Sequence, residues 1–523
     1  MLKNQKLPGH FKPIARAGGA GGPWHICIIL CFILSHLTGA RAGAQEKYVD
    51  VIDPATQFQT IDYFTASDCW SMQEIGGWSD ASREKVADLL FSREKGIGLS
   101  AWRFNLGGGI EHSKIPNSWH TAETFEVAKG KYDWSRCENA RWFLAAAKAR
   151  GVKTFIAFCN SPPRRLTLNG MTSGEKDPSI TSNLKPGMES QYGDYLGDIL
   201  LHFRDNPDAA QRIAFNWVSP INEPQWDWIG GQEGSRASNA DILRQYRAIN
   251  LSLRTRKLST HILGPESGSV PDMYQFDRGV SGKYKSEFGD YADLLCNDAM
   301  APLLDRTICY HSYWSEDPKQ IITYRTQLRA KMDQHPSWRI MESEFCIMQP
   351  GRDLGMDAAL RAMRVVHCDL SIVNACAWSW WLAISNVNFK DGLLYTDWKK
   401  PGDAENVMPS KLLWSLGNFS RFVRPGMVRV AIRETGAKHD LYGLVGTAYR
   451  DPVTRQTIAV YINSKPEPVE LELRVENSSG LRWTPYVTSD GSDEDLKAQG
   501  VFPERQSYTV PGKSVVTFVS SFP

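Results

Sequence analysis

Eight short apolar runs, separated by stretches long enough to form helices, constrain this chain more than any other feature. They begin at Tyr63 ("YFTASDC"), Ser100 ("SAWRFN"), Thr154 ("TFIAFC"), Ala214 ("AFNWVSPIN"), His261 ("HILGP"), Thr307 ("TICYHSYW"), Trp338 ("WRIMESEF") and Ala375 ("ACAWSWW"). Continuous apolar runs of this length read as strands covered on both faces. The clearest unit is "ENARWFLAAAKARGVKTFIAFCNSPP", where Ala140, Phe143, Leu144 and Ala147 make a helical stripe. Gly151 then terminates the helix, and a buried strand follows at Thr154–Cys159. "REKVADLLFS" and "DAALRAMRVVHCDL" lie between other runs with the same helical character. The fold class is therefore α/β, with a (β/α)8 TIM barrel expected over residues 63–400.

Beyond Lys400 the pattern changes. "LYGLVGTAYR", "QTIAVYIN", "VELELRV" and "SYTVPGKSVVTFVSSF" alternate apolar and polar residues between Gly, Pro, Asn and Ser turns, with no comparable helix among them. Residues 401–523 are expected to form an appended antiparallel β-sandwich. "KYVDVIDPATQFQTI" has the same character, so residues 45–62 are expected to join that sandwich and make it discontinuous in sequence.

Residues 1–44 hold Lys3, Lys6, Lys12, Arg16 and Arg41 and no acid, then an apolar run from Ile26 to Leu37 and small residues at Ala40, Ala42 and Ala44. That layout predicts a secretory signal peptide; the run is too short for a transmembrane span, and an uncleaved anchor is the alternative. The expected location is secreted, extracellular or periplasmic, with no membrane span once the signal is removed. The formal charge of +2 is thus misleading, because the chain after residue 44 carries −3. A nearly neutral, slightly acidic chain without a basic run argues against a nucleic-acid partner.

The eight cysteines after residue 44 (Cys69, Cys137, Cys159, Cys296, Cys309, Cys346, Cys368 and Cys376) show no CxxC and no zinc spacing. Most lie in apolar runs, where thiols act as small core residues; export would allow one disulfide, but no cysteine framework holds the chain.

In a barrel, the C-terminal ends of the strands carry the chemistry. Those ends supply Asp68, Arg103, Asn105, Asn160, Asn222, Glu223, Glu266, His311, Tyr313, Glu342, Glu344, Trp378 and Trp380. In "FNWVSPINEPQWDW", Glu223 closes an apolar run and meets Trp226 and Trp228; a carboxylate so placed is costly unless paired or used. Two carboxylates on opposing strands are what glycoside hydrolysis needs. The 18 tryptophans fit either core packing or a sugar-binding cleft. Nothing matches a P-loop, a dinucleotide glycine fingerprint, an HExxH helix or a GxSxG elbow.

"GIGLSAWRFNLGGG", "SPPRRLTLNG", "SPINEPQW", "ESEFC" and "SVVTFV", in that order, resemble glycoside hydrolase family 30 of clan A, and are most like its endo-β-1,6-galactanase branch. The resemblance runs from residue 46 to the C-terminus. It implies retaining cleavage of β-glycosidic bonds in a polysaccharide and a side β-sandwich, with neither metal nor cofactor. By position it makes Glu223 the acid/base, Asn222 the partner of the sugar 2-OH, and Glu344 the nucleophile supported by Arg103 and Tyr313. The chain departs from many relatives at Arg164, Arg165 and Leu166, where they carry a tryptophan or methionine after the prolines.

Alternatives stand beside these readings. Glu342, two residues from Glu344, would point the same way along a regular strand. Glu266 reads equally as a turn residue, and His311 as a core histidine. Trp226 is expected to stack on sugar, whereas Trp228 and Trp314 read as well as loop packing. β-1,6-Glucanases, xylanases and glucosylceramidase-like enzymes share the catalytic pair. A catalytically inactive carbohydrate-binding barrel is the rival from another class, and an inverting hydrolase would hold its carboxyl groups farther apart.

Overall fold

The computed structural model describes residues 47–174, 181–276 and 287–522. The expected signal segment at 1–44 lies outside the described residues. Each apolar run forms a strand. After β1 (Lys47–Thr60) come β2 (Tyr63–Ser67), β3 (Ala101–Asn105), β4 (Thr154–Phe158), β5 (Trp217–Ser219), β6 (His261–Ile262), β7 (Pro265–Ser267), β8 (Thr307–His311), β9 (Arg339–Glu344) and β10 (Ala377–Ser385). The pair β6 and β7 are two halves of one barrel strand, continued across the gap where the Gly264 carbonyl accepts from Cys309 N–H.

Every neighbouring barrel pair is parallel. The ring closes between β9 and β10 through a Phe345–Trp380 bridge and the Cys376 N–H to Ile340 carbonyl bond. One residue or more from each strand fills the interior: Tyr63, Ala101, Ile156, Trp217, Leu263, Cys309, Met341, Cys376 and Ala377 form a closed apolar layer. The barrel is thus a packed plug, and chemistry is confined to its rim.

Helices return the chain between strands and cover the outer face. They include α1 (Asp80–Phe91), α2 (Glu138–Ala149), α3 (Glu189–Arg204), α4 (Asn239–Thr255), α5 (Ile321–Met332) and α6 (Met356–Cys368). The terminator of α2 works as its sequence suggests. Gly151 takes φ +87° while its N–H and that of Val152 bond back to Lys148 and Ala147, the left-handed end that glycine tolerates best. Helix α4 starts with a capping box between Ser238 and Asp241. A further helix, α7 (Lys411–Ser420), leaves the barrel and packs beneath the C-terminal strands. There the Asn418 side chain donates to the Tyr486 carbonyl and the Thr517 hydroxyl.

The strands after α7 are β11 (Val428–Glu434), β12 (Leu444–Arg450), β13 (Thr457–Asn463), β14 (Val469–Val475), β15 (Arg482–Thr488), β16 (Lys497–Ala498), β17 (Phe502–Pro503), β18 (Ser507–Val510) and β19 (Ser514–Ser521). With β1 they form one ten-stranded sheet. β1 lies between β11 and β14, antiparallel to the first (Ile52 opposite Ile432) and parallel to the second (Tyr48 opposite Leu471). The sheet is therefore mixed where wholly antiparallel pairing was expected, because an N-terminal strand is inserted between two C-terminal ones. Tyr48, Ile52, Leu471, Trp483 and Phe518 belong to its own apolar core. The eight cysteines among the described residues are all free and buried.

Candidate active site

The rim residues converge on two carboxylates. Glu223 lies just past β5 and Glu344 ends β9, and each offers an oxygen within 4.8 Å of the other and of a His311 ring nitrogen. Arg103, buried on β3, donates through Nη1 to Glu344 Oε2 at 2.5 Å, and the Tyr313 hydroxyl donates to Oε1 at 2.9 Å. The guanidinium lies over the Phe158 ring, 3.8 Å from its centroid, and its Nη2 reaches Asn222 Oδ1 at 3.5 Å. One side of the pair is therefore bound by a fixed cation and a hydroxyl.

Glu223 meets a different environment. Burial pushes its carboxyl pKa up, although His311 opposes the shift. His311 Nδ1 lies 2.9 Å from Glu223 Oε1 and Nε2 lies 3.0 Å from Glu266 Oε2. A ring facing carboxylate oxygens from both nitrogens donates to both only as an imidazolium. Burial disfavours that charge, but the Glu344 charge and the hydrogen bonds to Glu223 and Glu266 push the His311 pKa up to about 10. Glu266 is buried as well, yet the Arg103 charge and His311 pull its carboxyl down to about 2. Ser343 adds a 2.5 Å hydrogen bond to the same Glu266 oxygen. Glu266 is thus no surface turn residue. It is the buried counter-charge for Arg103 and His311, and sequence reasoning carried no signal for it beyond its place at a strand end.

Glu223, His311 and Glu344 have the ligand types and spacing of a metal site. Coordination would require His311 to give up a proton that three carboxylates favour and would bring a cation beside Arg103. The donor set fits a proton-transfer site better than a metal.

Strain concentrates here. Glu223, Glu266 and Trp314 all have positive φ, at 43°, 57° and 53°. Left-handed backbone at non-glycine residues costs about 1–3 kcal/mol each and persists where the surroundings fix it. The Glu223 N–H donates to the Glu266 carbonyl, and the Trp228 indole donates to the Glu223 carbonyl. Trp228 therefore pins the loop. Trp226, half-buried, meets Trp314 edge to face at 5.5 Å, and Trp314 is exposed at the rim.

Three sequence expectations are corrected by strand geometry. Tyr310 faces Glu342 but His311 faces Glu344, so Ser343 is an extra residue, a β-bulge that resets the alternation. Glu342 consequently does not point the same way as Glu344. It accepts N–H groups from Ser312, Glu344 and Ser379 near Asp369 on the helix side, where burial raises its pKa well above the usual range. Trp378 and Trp380 are not sugar-binding residues either. Both are fully buried in the outer core, and their indole nitrogens donate to Asp369 and to the Asp391 carbonyl. The neighbouring Trp381 takes the rim position instead. It is half-buried against Trp70 at 5.5 Å and within 5.9 Å of the Arg103 guanidinium.

The remaining expected residues lie around this centre. Asn160 and Asn105 are buried, each with a side-chain carbonyl that has no protein partner among the described residues. Asp68 accepts the Asn105 N–H at 2.8 Å, and with Trp70, Gln73 and Cys137 it lines a cavity of about 20 Å³ just beyond the rim. Its other oxygen has no partner among the described residues, and burial pushes the carboxyl up to about 8. Arg165 turns away to bond Glu126 and Gln191, and Leu166 is buried.

The O-glycosyl hydrolase family 30 model matches residues 47–395. An endo-β-1,6-galactanase of Hypocrea rufa is 24% identical over 432 residues, covering 76% of this chain and 79% of that protein. A conserved exported protein from Bacteroides fragilis superposes with TM-score 0.80 at 28% identity, over 90% of this chain and 100% of its own. The catalytic domain of the xylanase C from Talaromyces cellulolyticus has the same fold, with TM-score 0.66 at 18% identity over 90% of this chain and 100% of its own. With the barrel, the paired rim carboxylates and a family match across most of the chain, this protein belongs to O-glycosyl hydrolase family 30.

Proposed function

We propose that the protein is an exported, retaining endo-β-1,6-galactanase in which Glu344 is the nucleophile and Glu223 the acid/base. The observation that carries this reading is the asymmetry of two closely spaced carboxylates. Retaining enzymes hold their carboxyl groups about 5–5.5 Å apart and inverting ones about 6.5–9.5 Å. Oxygens within 4.8 Å leave little room for an intervening water on the inverting scheme. Arg103 and Tyr313 aim two donors at Glu344, which positions one oxygen for attack and disperses charge in the leaving direction. Glu223 is pushed toward its protonated form by burial, as a general acid requires. Because His311 occupies Oε1, the transferable proton is carried on Oε2.

In the first step Glu344 attacks the anomeric carbon while Glu223 protonates the departing glycosidic oxygen. In the second, Glu223 takes a proton from water, which displaces Glu344. Asn222 is assigned to the sugar 2-OH. Asn160 and Asn105 carry unpaired buried carbonyls that sugar hydroxyls can satisfy, and Trp226 offers an aromatic face. An inactive binding barrel would have no use for a buried network of this kind, whose charges cost several kcal/mol each to desolvate unless they are paired.

The galactan assignment rests on the galactanase relative, and secretion on the character of residues 1–44. We read the ten-stranded sheet as an appended β-sandwich of residues 45–62 and 401–523 beside a catalytic barrel of 63–400. Hydrolysis of β-1,6-galactan, β-1,6-glucan and xylan, with sizing of early products, tests the substrate. Mid-length galacto-oligosaccharides should appear first. Exclusive release of monosaccharide, or preference for either other polymer, would contradict the proposal.

A further inference from the structure

A second pocket, of about 330 Å³, lies where α6 meets the turns of the ten-stranded sheet. Its volume is in the range of small-ligand sites, about 300–1,000 Å³. Four cations line it, Arg361, Arg364, Lys390 and Lys513, against two acids, Asp353 and Asp357. Lys513 pairs with Asp357 at 2.9 Å, and Arg361 turns toward Glu316 at 2.8 Å. Lys390 donates to the Gly351 carbonyl and lies 4.0 Å from Asp353. Arg364 differs. It donates only to the Ser464 hydroxyl at 3.3 Å and rests on the Tyr442 ring, with no carboxylate within ion-pair distance among the described residues.

A half-buried guanidinium without a counter-ion is costly, and burial together with the nearby Arg361 lowers its pKa. Its fork suits a carboxylate, while Leu360 and Ala358 give the wall an apolar part and Ser464 a hydroxyl. That combination matches a sugar ring bearing an acid group better than a bare anion. Ile347, on the wall, follows Glu344 by three residues and begins a short strand, Ile347–Pro350, that pairs with Phe389–Lys390, so the pocket is built partly on an antiparallel strand pair next to the catalytic rim.

We propose that this pocket binds a uronic acid residue, with Arg364 receiving the carboxylate and Lys390 and Lys513 supplying surrounding charge. The choice of a sugar rests on the polysaccharide-hydrolase reading; the anion site itself does not. Calorimetric titration of the purified protein with D-glucuronate, D-glucose and inorganic sulfate tests it without turnover. Glucuronate should bind and glucose should not. Arg364→Gln should weaken binding at least tenfold, and Arg364→Lys should restore part of it. Thermal unfolding checks that these variants fold, and Lys513→Gln, at the pocket mouth, should also weaken binding if Arg364→Gln does not fold. No glucuronate heat, or binding indifferent to both substitutions, would overturn the site. Sulfate binding as tightly as glucuronate would overturn the sugar. Cleavage of β-1,6-galactan without glucuronate binding defeats only this proposal, whereas binding without cleavage of any polysaccharide defeats the functional reading instead.

Discussion

His311 donates to Glu223 at 2.9 Å through Nδ1 while its other nitrogen is held by Glu266, so the proposed proton donor shares its site with a buried cation. That cation opposes the effect of burial on Glu223. His311→Gln should leave the Glu223 pKa higher. A carboxyl needed in its protonated form loses activity as pH rises through its pKa, so the alkaline limb of kcat/KM should move to higher pH. The rate should fall by roughly one to two orders of magnitude, part of the 10²–10⁴ that a positioned acid contributes. A pH–rate profile in which the limb stays in place, or moves down, would contradict this role.

Gly268 lies against the same machinery. A Cβ there would collide with the Trp226 indole nitrogen and stand 3.1 Å from the Glu223 carboxyl carbon. Gly268→Ala should therefore cut kcat by about tenfold or more on substrates with poor leaving groups, with a smaller loss on activated aryl glycosides. Steady-state kinetics on the two substrate types would show it. Equal losses on both would mean that the damage is to the fold rather than to the acid.

Asp68 is a stability prediction. Its carboxyl is pushed by burial to about 8 in the folded protein, against about 4 unfolded. A raised carboxyl contributes stability that is fully present below the unfolded pKa and is lost as pH rises through the folded one. Asp68→Asn removes that loss, so the variant should match the parent near pH 4 and melt about a few degrees higher at pH 8. Melting curves at the two pH values decide it, and a gain at pH 4 alone would reverse the sign.

The strand runs and the carboxylate at Glu223 were legible because period and turn chemistry act locally. What was misread lies where a strand departs from strict alternation. The bulge at Ser343 sends Glu342 and Glu344 to different faces, and the shift near Trp380 brings Trp381, not Trp378 or Trp380, to the rim. A bulge is set by pairing across strands, which a single sequence does not display. Glu266 was undervalued for a related reason: its worth comes from Arg103 and His311, residues far away in sequence.

Trp380 and Trp381 should consequently fail in different ways. Trp380→Ala removes a fully buried indole and should cost about 3–5 kcal/mol of stability. Trp381→Ala should leave the melting temperature nearly unchanged and lower kcat/KM on polysaccharide about tenfold. Paired melting and kinetic measurements separate the two, and the reverse pattern would restore the original assignment.

The central claim is the division of labour between Glu344 and Glu223, and the anomeric configuration of azide products tests it most directly. With an activated β-galactoside, Glu344→Gly should lose nearly all turnover and then be rescued by azide to give the α-galactosyl azide, the result of one displacement. Glu223→Ala should accumulate the glycosyl-enzyme and give the β-azide, the result of two. Nuclear magnetic resonance of the two products reads the configuration. Residual activity within about tenfold of the parent in Glu344→Gly, with Glu342→Gly inactive and rescued to the α-azide, would contradict the account and place the nucleophile two residues upstream.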